Sequence, residues 1–207
     1  MKVSTIFATP LLQIELPHNT AAMARITAAS RKYHYDRLER DTQFAKQTGR
    51  HIISRPDLLD DLSEEDRAYL LEPITAAVRE FIRVGLGDTA AHERKLAVRG
   101  FARAYKPGSR IAPHSHFDAD VVVSIYLVSG GTETEPPADL VLIDPVVRGF
   151  PHKTPYHKIA VKDGLAVIFP AYLVHETEPT PVERIIAGLE YRVVGHDMEK
   201  VFTPLEM

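Results

Sequence analysis

Apolar residues recur at helical spacing in the first part of the chain and at strand-like spacing in the second, with the change near Lys95. From Asn19, the residues Ala21, Ala22, Met23, Ile26, Ala29 and Tyr33 fall at three- and four-residue steps, which predicts a helix capped by Asn19 or Thr20. The mixed-charge stretch after it, Arg37 to Arg50, reads as a solvated helix face or a loop. Ser63 with Asp66 three residues on resembles a second N-cap, ahead of an inward face of Ile74, Val78, Phe81 and Ile82. Pro73 predicts a kink or a fresh start in that helix, and Gly85 and Gly87 predict its end. Before both helices, residues 3 to 16 read as an edge strand interrupted by Pro10, with Ile6, Leu12, Ile14 and Leu16 as its apolar positions.

Beyond Lys95 the pattern predicts strands over Leu96 to Tyr105, Arg110 to His116, Val121 to Val128, Leu140 to Ile143, His157 to Ala160, Leu165 to Phe169 and Arg184 to Val194. Strands at this spacing with no helices between them imply a sandwich or barrel of the double-stranded β-helix, jelly-roll or cupin type. The expected fold is therefore mainly β with flanking helices (α+β). We expect one domain over residues 1–207, with a strand and supporting helices in 1–94, the β core in 95–195 and a tail in 196–207. The segments Gly130 to Ala138 and Gly149 to Tyr156 read as polar loops, the first of them mobile.

Composition narrows the chemistry. A net charge of -3 provides no basic footprint for nucleic acid. The absence of cysteine removes disulfides, thiolate ligands and a cysteine nucleophile, so any metal must be held by nitrogen and oxygen. With no apolar run long enough for a membrane span and no signal-peptide pattern at Met1 to Phe7, a cytoplasmic protein is expected.

The candidate chemistry lies in Tyr105 to Tyr126. His114 and His116 are two apart, so on an extended strand both rings leave one face, and Asp118 comes next in phase if the strand continues. His175, at the end of a later apolar run, is a candidate third group, and imidazole with carboxylate suits a first-row transition metal. His18, His34, His51, His92 and His196 read as ordinary surface or satisfied core residues. Alternation from Arg184 places Ile186, Gly188, Glu190 and Arg192 on its face, with Gly188 leaving room for a bound molecule and Arg192 as a second possible anion anchor.

The run Tyr105-x-x-Gly108-x-x-x-x-Pro113-His114-x-His116, with Ser124 to Leu127, Gly164 to Pro170, His175 and Arg184, resembles the iron(II)- and 2-oxoglutarate-dependent oxygenases. Phe7-Ala8-Thr9-Pro10, Asp144-Pro145 and Arg184-Ile185 bring the resemblance closer to a bacterial subfamily with a His-x-His pair. The resemblance implies iron(II) held by His114, His116 and His175, and 2-oxoglutarate as cosubstrate gripped by Arg184 with Tyr105 and Tyr126. Arg103 and Phe117 would face the substrate, a small molecule, amino acid or peptide hydroxylated at a C–H bond. His116 stands where most of the superfamily has aspartate, so either the site is three histidines or His116-Phe117-Asp118 is itself the His-x-Asp element and Asp118 replaces His116; the register from Tyr105 favours the first. The competing readings are a cupin-like metal-binding or sensor module without turnover, and a three-histidine iron dioxygenase that does not use 2-oxoglutarate. Neither membrane nor nucleic-acid partners are expected; a homodimer is possible.

Overall fold

The computed structural model describes residues 9–48, 57–143, 156–194 and 203–204. Strand β1 (Leu12–Glu15) precedes helix α1 (Thr20–Thr48), a short 3-10 turn (Leu58–Asp61) and helix α2 (Glu64–Glu80). The β-rich part comprises β2 (Leu96–Tyr105), β3 (Ile111–His114), β4 (Val121–Val128), β5 (Leu140–Ile143), β6 (Tyr156–Ile159), β7 (Leu165–Pro170), β8 (His175–Thr177), β9 (Arg184–Val193) and β10 (Thr203–Pro204). The strands form a six-stranded sheet in the order β1-β7-β4-β9-β2-β10 and a four-stranded sheet in the order β3-β8-β5-β6. Every pairing is antiparallel.

Asn19 caps α1, its Oδ1 accepting the Ala22 N–H at 3.1 Å. Ser63 caps α2, its Oγ accepting the Asp66 N–H at 3.1 Å, and Arg25 ties the two helices together through Asp66 at 2.6 Å. That guanidinium holds the Asp66 carboxyl below its ordinary range. The mixed-charge stretch continues α1 to Thr48, stitched by the i,i+4 pairs Lys32–Asp36 and Arg37–Asp41. Solvation is not the whole account of it, because the Arg37 side chain is only 11% exposed. Tyr33 and Arg37 lie one turn apart on the face that carries Ile26, and that face looks onto the large sheet. Helix α2 runs through Pro73 without a fresh start and ends in a π-turn over Phe81–Gly85, with Gly87 at φ 76° completing the stop.

Period-two alternation divides the core into two layers. Val121, Val123, Ile125 and Leu127 of β4, with Ile185, Ala187, Leu189 and Tyr191 of β9, pack against the helices. Val122 and Tyr126 of β4, Val167 and Phe169 of β7, and Ile186 of β9 fill the space between the sheets with Leu140 and Leu142 of β5. The intersheet face of β9 therefore also carries Arg184, Gly188 and Glu190, and that of β2 carries the residues paired with them, Tyr105, Phe101 and Arg99. Gly188 leaves room for a protein ring instead of a bound molecule: a Cβ there would overlap Phe101. Among the described residues, no helix is long and apolar enough to cross a membrane. Phe7-Ala8, Asp144-Pro145, His51, His196 and most of the second polar loop lie outside the described residues.

Overpacking of this kind costs about 1–3 kcal/mol, so Gly188→Ala is expected to lower unfolding stability by that amount in chemical denaturation. A variant as stable as the wild type would show that the Phe101 ring moves freely out of the way.

Candidate metal centre and anion pocket

Three histidines meet between the sheets. In the β3–β8 register His114 lies directly opposite His175, and their ring centroids are 4.3 Å apart. His116 lies beyond the end of β3, yet it is brought to the same place by two bonds. Its backbone N–H donates to the Ala171 carbonyl at 2.9 Å, and its Nδ1 meets Glu190 Oε1 at 2.7 Å. The ring is stacked parallel to His175, with centroids 5.3 Å apart, and Phe101 covers its other side at 5.7 Å. One ligand atom from each histidine can be chosen so that all lie within 4.8 Å of one another.

The hydrogen bonds select which nitrogen is free. His114 Nδ1 faces the Ala112 carbonyl at 3.0 Å, His175 Nδ1 faces the Leu173 carbonyl at 3.0 Å, and His116 Nδ1 faces the Glu190 carboxylate. Carbonyl and carboxylate oxygens only accept, so each Nδ1 carries a proton, and in a neutral imidazole so held Nε2 is the nitrogen with the lone pair. This is the outer arrangement that fixes metal-binding histidines. Burial favours the neutral imidazole, lowering His114 below its ordinary value and pushing His175 down to about 3. Three imidazole nitrogens suit a first-row transition ion and do not suit calcium or magnesium, which prefer oxygen. Asp118 is not a member of this cluster; its backbone carbonyl accepts a bond from Arg192 Nη2 at 2.6 Å.

Glu190, which alternation places on the face of Arg184, has a role that the sequence alone does not assign. Burial opposes its ionisation, but the His116 and Arg99 contacts outweigh that, and its carboxyl is held below the ordinary value. It forms an ion pair with Arg99 on the neighbouring strand. Its alternation with Arg184 was readable, but the partner that gives it a role comes from a different part of the chain.

Further along β9 lies a second polar group. Arg184 is 1% exposed, and no carboxylate among the described residues pairs with it. Its Nε donates to the Ser129 carbonyl at 2.9 Å and its Nη2 to the Ala138 carbonyl, so the two ends of the polar loop 130–138 hold the guanidinium over the Tyr126 ring. Arg184 Nη1 and the Tyr126 hydroxyl are both buried without a hydrogen-bond partner among the described residues. Tyr105, opposite Arg184 on β2, is part-buried, and burial raises the pKa of both tyrosines, so their hydroxyls stay protonated as donors. A buried cation with a free N–H beside a free O–H is a prepared site for a carboxylate. Arg103 and the 90% exposed Phe117 line a cavity of about 430 Å³ that is also walled by His116.

Calorimetric titration with nickel(II) or iron(II) is expected to show no binding to His175→Ala, and a larger loss for His116→Ala than for Asp118→Ala. The reverse order would transfer the third ligand to Asp118. Glu190→Gln, which leaves the histidines in place, is expected to weaken metal binding about 10–100-fold, the usual effect of removing such a supporting carboxylate; unchanged affinity would leave Glu190 a structural role alone.

No protein-family model and no curated protein matches this sequence. Solved structures do match its fold. A prolyl-4-hydroxylase from Pseudomonas putida is 19% identical, over 92% of this chain and 88% of that one, with a TM-score of 0.58. A prolyl hydroxylase from Trichoplax adhaerens, solved with a hypoxia inducible factor peptide fragment, is 13% identical over 88% and 83%, with a TM-score of 0.51. A viral collagen prolyl hydroxylase from Paramecium bursaria chlorella virus-1, solved with 2-oxoglutarate, is 15% identical over 89% and 96%, with a TM-score of 0.50. What these likenesses share with the chain is the fold, that of the three prolyl hydroxylases.

Proposed function

We propose that this chain is an iron(II)- and 2-oxoglutarate-dependent oxygenase, built as one domain on a double-stranded β-helix. It would hydroxylate a C–H bond of a small molecule, amino acid or peptide, with release of succinate and carbon dioxide. The observation that carries the reading is the occurrence, in one intersheet space, of a three-histidine nitrogen cluster and a buried arginine that has no carboxylate partner among the described residues. A metal alone would account for the histidines. An oxo-acid with a second carboxylate accounts for both.

His114, His116 and His175 would hold the metal through Nε2, each ring fixed by its Nδ1 hydrogen bond. When bound, iron with 2-oxoglutarate supplies the oxidising power that protein side chains lack. Arg184 would take the far carboxylate with its free Nη1 while its other nitrogens stay on the loop carbonyls, and Tyr126 would add a hydroxyl donor. Tyr105 stands opposite Arg184 as a further donor. Phe101 packs against the His116 ring and Phe169 against the His175 ring, each covering one side of it with apolar surface. The similarity to a prolyl hydroxylase solved with 2-oxoglutarate agrees with this assignment.

Anaerobic titration of the iron(II)-loaded protein with 2-oxoglutarate is expected to give the weak visible charge-transfer band of a chelated keto acid. Arg184→Ala is expected to retain iron and to raise the 2-oxoglutarate concentration at half-saturation about 10–100-fold, the loss of roughly 1.5–3 kcal/mol for a hydrogen bond to a charged group. Iron binding without the band would favour a cupin-like binding module, or, if oxygen is consumed with substrate alone, a three-histidine dioxygenase without 2-oxoglutarate.

A further inference from the structure

We propose that the cavity beside His116 binds the anionic group of a small organic acid through Arg103, so that the molecule acted on carries a carboxylate or a phosphate. Calling that molecule the substrate rests on the oxygenase reading; the binding itself does not.

The cavity, of about 430 Å³, is of the size that small-molecule sites occupy. Its wall joins Tyr33 and Arg37 of α1 to Arg99, Phe101 and Arg103 of β2, and it reaches His116. Three guanidinium groups and two carboxylates, Glu190 and Asp118, line it. The charges are unequally engaged. Arg99 is paired with Glu190, which also holds His116, and Arg37 lies 3.6 Å from Asp41. Arg103 has no ion pair or hydrogen bond among the described residues; its guanidinium lies 5.9 Å from the Phe101 ring centroid. Period-two alternation explains the placement, since Arg99, Phe101 and Arg103 leave β2 on one face and that face opens toward α1 beyond the histidines.

A half-buried guanidinium in a concave site raises the local concentration of anions, and its fork recognises carboxylate and phosphate alike. The Phe101 ring beneath Arg103 and the 90% exposed Phe117 at the same cavity supply apolar surface for the rest of such a molecule. The acid group would be held at Arg103 while its carbon skeleton extends toward His116.

The test uses three probes of similar size, 3-phenylpropanoate, phenyl phosphate and 3-phenylpropanamide, with binding to the full chain measured by saturation-transfer NMR. The expected result is that at least one acid binds tenfold or more tightly than the amide; whichever acid it is decides between carboxylate and phosphate. In Arg103→Gln the acid should fall to the affinity of the amide, and Arg103→Lys should recover most of the difference. Acid and amide of equal affinity would overturn the proposal. So would an acid that is unaffected by Arg103→Gln but lost in Arg184→Gln, since it would then occupy the 2-oxoglutarate pocket. The 2-oxoglutarate titration of Arg103→Gln should match the wild type within twofold, and a larger change would also overturn the separation of the two sites. If the wild type gives no 2-oxoglutarate band yet holds the acid through Arg103, the oxygenase reading fails and the anion site stands.

Discussion

The hydrogen-bonded chain from His116 through Glu190 to Arg99 joins the two halves of the candidate centre. His114 and His175 need only the β3–β8 register to meet, but His116 has left its strand and must be held from the opposite sheet. Glu190 does this with a carboxylate 6% exposed, whose burial would be costly without both partners. Removing one partner of such a buried pair costs about 3–5 kcal/mol. The same strand carries Gly188, whose missing side chain lets Phe101 lie against His116. Stability of the intersheet layer and placement of the third imidazole therefore depend on one set of residues.

The same chain bears on the proposal that His116 serves as a ligand where the resembled family has aspartate. Three neutral imidazoles leave a divalent ion with its full charge, where an aspartate in the set would cancel part of it. Here the negative charge sits one hydrogen bond further out, on Glu190, and polarises His116 through Nδ1. That arrangement retains part of the electrostatic effect of a carboxylate ligand while leaving three nitrogen donors.

Much of the architecture was legible because the strand signals are strong. Strands β2, β4 and β5 match their apolar patterns to the residue, and Asn19 and Ser63 cap the helices as their chemistry requires. Strand β8 has three residues, too few to show a period, and only its pairing with β3 and β5 defines it. The choice between His116 and Asp118 could not be made from alternation, because β3 stops at His114 and the position of His116 is set by Ala171 and Glu190 instead. Tyr33 and Arg37 were invisible as site residues for a similar reason: a helix face reads as apolar or charged, but what it faces is a long-range fact.

Arg184 and Arg103, two of the arginines on the intersheet faces, differ in burial, and on the proposed reading that difference would sort them into separate tasks. Arg184 is enclosed, its Nε and Nη2 fixed by carbonyls and its Nη1 left over, so it can accept one anion in one orientation. Arg103 is half-exposed, stacked near one ring and tied to nothing else among the described residues, so it can adapt to ligands of different shape. A fixed guanidinium suits a cosubstrate that is the same in every turnover. One without such ties suits the molecule that differs between enzymes of one fold, and on the proposed reading Arg184 and Arg103 would divide the two kinds of recognition between them.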